Sequence, residues 1–226
     1  KIVIQEASRQ RGQLILIPEQ GIRLQTTVRE NTSQIDARTG GFKSNGALAF
    51  ELLNTDWNLV FRLEQVAPWM EISSLQDVLF TEGKATVTHF LVCQVKNTAV
   101  KSFDLQLPSN ATNIRFEGKH VGDALLNENT EGDRQRWTVR LDRRIIGSYR
   151  LTLTYHIRLD EAAPSILIQG TQAENTSSQR GYLTLRSVNR LQLEIDQIPE
   201  SLYHTDWNNI PSALRQSLPE DLAVSQ

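Results

Sequence analysis

The chain has 226 residues, enough for one large domain or two small ones. Apolar residues make up 39% and charged residues 22%, so it can bury a core, and a disordered tail is excluded. Lysine and arginine total 24 against 26 acids, a net charge of -2 that argues against nucleic acid as a partner; one cysteine excludes a disulfide framework or a cysteine-held zinc.

In chain order, most segments alternate apolar and polar residues, the period of half-buried strands. Short strands are expected at Ile2–Ile4, Leu14–Ile17, Ile22–Val28, Leu48–Leu52, Trp57–Leu63 and Val78–Phe80. A long one follows from Lys84 to Asn97, with Ala85, Val87, His89, Leu91, Cys93 and Val95 on one face. Phe103, Leu105 and Leu107 alternate until Pro108, and Ile114 and Phe116 lead to Gly118. Trp137, Val139 and Leu141 then face inward, as do Tyr149, Leu151, Leu153, Tyr155, Ile157 and Leu159. The short link Asp142 to Gly147 predicts a hairpin between those two strands. Later strands are expected near Ile166–Ile168, Leu183–Leu185 and Leu191–Ile195. One short helix is predicted from Pro211 to about Leu218, capped by Asn209.

This pattern predicts an all-β protein, an antiparallel β-sandwich built as one large or two packed sandwiches with a short C-terminal helix. A boundary at Thr81-Glu82-Gly83 would separate an N-terminal β subdomain (1–82) from a sandwich domain (83–226). Polar stretches at 30–46, 122–133 and 160–181 exceed hairpin turns and are expected as loops. Thr-Asp-Trp-Asn occurs at 55–58 and 205–208 with unlike flanks, so it is no repeat. No apolar run reaches the roughly 20 residues of a membrane-spanning helix. Both termini read as those of a piece of a longer polypeptide.

Arrangements that catalysis would need are absent from the sequence. There is no Gly-x-Ser-x-Gly elbow, His-Glu-x-x-His, calcium loop or phosphate-binding glycine loop, and no cofactor is expected. His89 and Cys93 share the inward face of their strand, where a core histidine and a small buried hydrophobe are the expected roles. Adjacent acids at Asp160-Glu161 and Glu220-Asp221 carry no defined spacing for hydrolysis.

Two features point instead to binding. Arg136, Arg140, Arg150, Arg158 and His156 lie on the polar face of the predicted hairpin, and arginine's planar fork suits carboxylate, sulfate or phosphate groups. The competing reading pairs those arginines with Asp104 and other cross-strand acids. Trp69 and Trp207 sit in less regular segments, as stacking platforms for a sugar or as plugs for the ends of the core.

The run Phe103-Asp104-Leu105-Gln106-Leu107-Pro108, followed by Ala111, Ile114, Phe116 and Gly118, resembles β-sandwich domains of large exported bacterial proteins. With Trp137-x-Val139-x-Leu141 and Gly147-x-Tyr149-x-Leu151-x-Leu153 it is similar, over residues 85–158, to the VIT domain, though the aromatic-rich phrase before Leu-Pro is missing. The resemblance implies an extracytoplasmic, non-enzymatic role and transfers no site residue. The expectation is a structural or protein-interaction segment of a larger exported or envelope-associated protein. Its partners would be neighbouring domains of the same polypeptide or another envelope protein. A carbohydrate-binding module for acidic glycans is the alternative, and an enzyme fragment completed by residues outside this chain is the third.

Overall fold

The structure, a computed structural model, describes residues 11–40, 46–127, 132–160, 165–188 and 192–218. The expected strand at Ile2–Ile4 and the acid pair Glu220-Asp221 lie outside them, as does Glu161. Among the described residues no helix is long and apolar enough to cross a membrane.

Two compact units divide at Pro68–Trp69. The first holds β1 (Gly12–Leu16), β2 (Ile22–Glu30), β3 (Thr32–Ile35), β4 (Leu48–Leu52) and β5 (Asn58–Gln65). Strands β1, β4 and β3 form one antiparallel sheet and β2 pairs with β5 in another. Phe50 is fully buried, and its ring meets that of Phe61 edge-on at 5.8 Å. Leu63, at the end of the strand expected over Trp57–Leu63, is exposed near the end of β5. Strand β3 forms within the stretch expected as a loop.

The second unit holds β6 (Trp69–Thr81), β7 (Lys84–Pro108), β8 (Ala111–Gly118), β9 (Val121–Leu126), β10 (Arg134–Arg158), β11 (Gln172–Ala173), β12 (Ser178–Ser187) and the one-turn helix α1 (Ser212–Arg215). Strands β6 and β7 are a hairpin with Thr81 opposite Lys84. The boundary read at Thr81-Glu82-Gly83 therefore runs through a tight turn, and the units part thirteen residues earlier, counting from 81 back to 68. The ladders of this unit are antiparallel except one, β12 against β6.

The predicted hairpin at Asp142–Gly147 is not one. Residues 134–158 form a single 25-residue strand antiparallel to β7, which is equally long. The register between them shifts at Arg140/Ile145 and again at Ile145/Gly147, where irregular pairing bends the strands. Two left-handed residues mark the corner, Gly147 (φ 83) on β10 and Asn97 (φ 68) on β7. Glycine takes that conformation without a Cβ clash, and asparagine is among the few residues that tolerate it.

Beyond the bend the pair folds back on itself. The Phe103 ring, on the second half of β7, stacks on Tyr149, on the second half of β10, with centroids 5.3 Å apart. Yet Phe103 pairs with Val139, and Tyr149 with Cys93, ten positions away along each strand. A flat sheet would hold those rings about 30 Å apart. The ends close too, since the Gln135 amide donates to the Ala111 carbonyl at 2.9 Å while Ala111 pairs with Ile157. One bent sheet thus supplies both layers of a sandwich. The first layer is β12-β6-β7-β10-β8, and β11 and β9 flank the other halves of β7 and β10.

The odd-numbered residues of β7 and β10 fill the space between layers, including Val87, Leu91, Cys93, Leu105, Leu107, Val139, Leu151, Leu153 and Ile157. Trp137 packs at their margin, 5.6 Å from Phe116 between ring centres. A second apolar cluster lies on the opposite face of the first layer: Leu75, Ile210 and Leu214, with Phe90, Val92, Tyr182 and Trp207 against them. It covers the apolar positions Phe90 and Val92 on the otherwise polar face of β7. The helix is shorter than expected, with Pro211 as its N-cap and no side-chain cap, while Asp206 caps a preceding 3-10 turn at Trp207–Asn209.

Candidate interaction surface

His89 and Cys93, two residues with catalytic potential, are withdrawn from solvent. His89 is buried, and burial pushes its pKa down to about 4, so it is neutral at pH 7. Burial raises the Cys93 thiol to about 12, which removes the thiolate needed for nucleophilic chemistry. Tyr155 is likewise raised by burial to about 12. Among the described residues no group of three or more His, Cys, Asp or Glu is arranged to hold a metal ion.

The arginine face does not form. Because β10 bends, Arg136 and Arg140 lie on the outside of one layer, and Arg150, His156 and Arg158 on the outside of the other. Arg136 is bound to Glu174, whose Oε1 accepts from Nε at 2.6 Å and also takes a donor from Gln106 at 2.7 Å. Asp104, the acid expected opposite these arginines, accepts instead from the Thr138 hydroxyl at 2.6 Å. Arg140 is exposed at a position facing Asp123 in the ladder. On the other layer Arg150 lines a shallow depression with Glu117, Lys119, Ser148 and Thr152. His156 is half-buried with Nδ1 3.2 Å from the Asn113 amide, and Arg158 stands exposed at the end of β10 opposite Lys84.

The tryptophans separate as well. Trp207 is half-buried against the Leu75 cluster, which makes it a plug. Trp69 opens β6 and is 47% exposed. Glu71 accepts from Lys96 at 2.9 Å and also from the Trp69 side chain, and both hold its carboxyl below the ordinary range. With Trp207 packed away, Trp69 has no second ring from the predicted pair for a sugar platform.

Strand β12 supplies what the sequence reading missed. Among the described residues it pairs with β6 alone, so its other edge presents unpaired backbone donors and acceptors. Its attachment to β6 is fixed by Asp77, which is almost fully buried. The Thr184 hydroxyl and Arg186 Nε each donate to Asp77 Oδ1 at 2.7 Å, and a second arginine nitrogen reaches the other oxygen. Asp77 in turn raises the arginine's pKa.

On the inner side of β12, Leu183 and Leu185 sit opposite Gln76 and Val78. They carry the apolar interior to the rim and remain 39% and 37% exposed. Downstream, Leu193, Ile195, Ile198, Leu202 and Tyr203 are also exposed. The alternation over Leu191–Ile195 predicts a strand, but the described residues 192–195 join no ladder. The missing signal was the partner: alternation marks a segment fit to pair without saying what it pairs with. Other departures are smaller. Ile166–Ile168 is not a strand, β11 and the start of β12 lie inside the expected 160–181 loop, and most of β9 lies inside the 122–133 loop.

No protein-family model and no curated protein sequence matches the chain. Among solved structures it is similar to the non-cellulosomal cohesin from the hyperthermophilic archaeon Archaeoglobus fulgidus, at 15% identity and a TM-score of 0.30, over 54% of this chain and 92% of that chain. The fold described above rests on this chain's own ladders.

Proposed function

We propose that this chain is a non-catalytic β-sandwich segment that binds another protein chain along the free edge of β12, within a larger exported or envelope-associated bacterial protein. The observation that carries this reading is the edge of β12 left unpaired among the described residues, with two exposed leucines completing the rim of the core. A sheet edge of this kind accepts an extended chain by main-chain hydrogen bonds, with side-chain pockets on alternate positions. Burial of His89 and Cys93 supports a non-catalytic role. An exported setting agrees with a single buried cysteine, which leaves an oxidising compartment nothing to cross-link.

A photo-crosslinking residue at Leu183, in the polypeptide that carries this chain and in its own cells, is expected to yield a discrete protein adduct. The same probe at Arg140, on the outside of the other layer, is expected to yield none. Absence of any protein adduct at Leu183 would overturn the interaction reading. A saturable tryptophan-fluorescence response to one acidic glycan, lost in Arg150→Ala, would put carbohydrate binding in its place.

A further inference from the structure

We infer that the partner at the β12 edge is a second copy of this chain, whose segment 192–198 adds to that edge as an antiparallel strand. The inference rests on the interaction reading above and names its partner. Gln192-Leu193-Glu194-Ile195-Asp196 alternates as a strand does, a pattern that ends at Gln197-Ile198, yet all seven residues of 192–198 are exposed and none joins a ladder. The edge needs what the segment offers. Leu183 and Leu185 point to the inner side of β12 and stay open to solvent, two residues apart like Leu193 and Ile195.

One antiparallel register satisfies both, with Leu185 opposite Leu193 and Leu183 opposite Ile195. It closes the rim of the core with four apolar side chains. On the outer side that register places Asp196 opposite Tyr182 and diagonal to the exposed Arg180, a separation of about 7 to 8 Å that an arginine side chain spans. The chain does not close this pairing on itself, although the four residues 188–191 between β12 and the segment would suffice for a hairpin loop. Exchange between two copies covers both edges and both segments at once, as a two-fold axis requires.

The test uses the full chain. Sedimentation should show a concentration-dependent dimer, and Leu183→Lys at the edge or Ile195→Lys in the segment should each give a monomer. Mixing those two variants should restore a dimer, because one intact edge meets one intact segment. The double variant Leu185→Cys with Leu193→Cys provides a second readout, since Cys93 is buried and does not compete. On a non-reducing gel it should run as a covalent dimer. A monomer carrying an internal disulfide would mean that the segment folds back in its own chain. That result overturns the inference, as does a wild-type chain that stays monomeric at all concentrations. If the Leu183 photo-adduct proves to be a different protein, this inference fails while the interaction reading stands; if there is no adduct, both fail.

Discussion

Lowering the pH should destabilise the sandwich through His89 by an amount the structure sets. The side chain lies between Gln76 and Leu153 on the paired strands, is 2% exposed, and has no hydrogen-bond partner for Nδ1. Its pKa falls from 6.5 to about 4 through desolvation, because an imidazolium there would lose its hydration with nothing to replace it. The unfolded chain therefore binds this proton more readily than the folded one. The stability tied to neutral His89 is fully present above about pH 6.5, falls as the pH drops towards 4, and levels off below that. The difference of about 2.5 units, at about 1.36 kcal/mol each, gives roughly 3 kcal/mol, on the order of 10 °C in melting temperature for a unit of this size. Thermal melts followed by tryptophan fluorescence from pH 4 to 7.5 should compare the wild type with His89→Leu, which cannot titrate. Other acid-sensitive groups cancel in the comparison. The wild type should lose about 3 kcal/mol relative to the variant across that window, while near pH 7 the two should lie close, since leucine removes an unpartnered buried nitrogen. Parallel pH profiles would refute the assignment.

Four further outcomes follow from the packing. Gly118→Ala would place a Cβ 2.7 Å from the Tyr149 hydroxyl and 3.0 Å from the Arg150 carbonyl, so chemical denaturation should show a loss of about 1 to 3 kcal/mol. Asp77→Ala strips Thr184 and Arg186 of their shared acceptor and should cost roughly 2 kcal/mol, with faster amide exchange along β12. Glu174→Ala, which releases the half-exposed Arg136, should cost less than about 1 kcal/mol, and a larger loss than from Asp77→Ala would reverse the ranking of the two pairs. Cys93, with its thiol near 12, should resist alkylation at about pH 8 in the folded chain and react fully in denaturant; native labelling would show that the interior opens.

Local alternation carried most of the secondary structure. Residues 84–97, 103–107, 137–141 and 148–160 were legible as strands because one face of each is buried, and a buried face writes period two into the chain. Trp69 was harder to place, because Ser73, Ser74, Gln76 and Asp77 break the apolar alternation of β6. Those polar residues are tolerated there by partners far along the chain, such as the Gln169 carbonyl that accepts from Gln76 at 3.2 Å.

The candidate site was legible only in part. Leu183, Leu185 and the alternating segment at 191–195 were visible, whereas the unpaired edge that gives them meaning was not, since pairing is non-local. The sequence by itself determined that this is an all-β chain with apolar odd positions along its two longest strands. Only the tertiary structure decided that 103–107 continues 84–97 and that 137–141 continues 148–158, each as one bent strand. Apolar residues keep odd numbers on both sides of the bend, so alternation reads the same whether the chain turns back as a hairpin or the strand folds over. Burial between layers needs only that parity. Where the arginines point in space depends on the bend, and the bend scatters them to opposite sides of the sandwich.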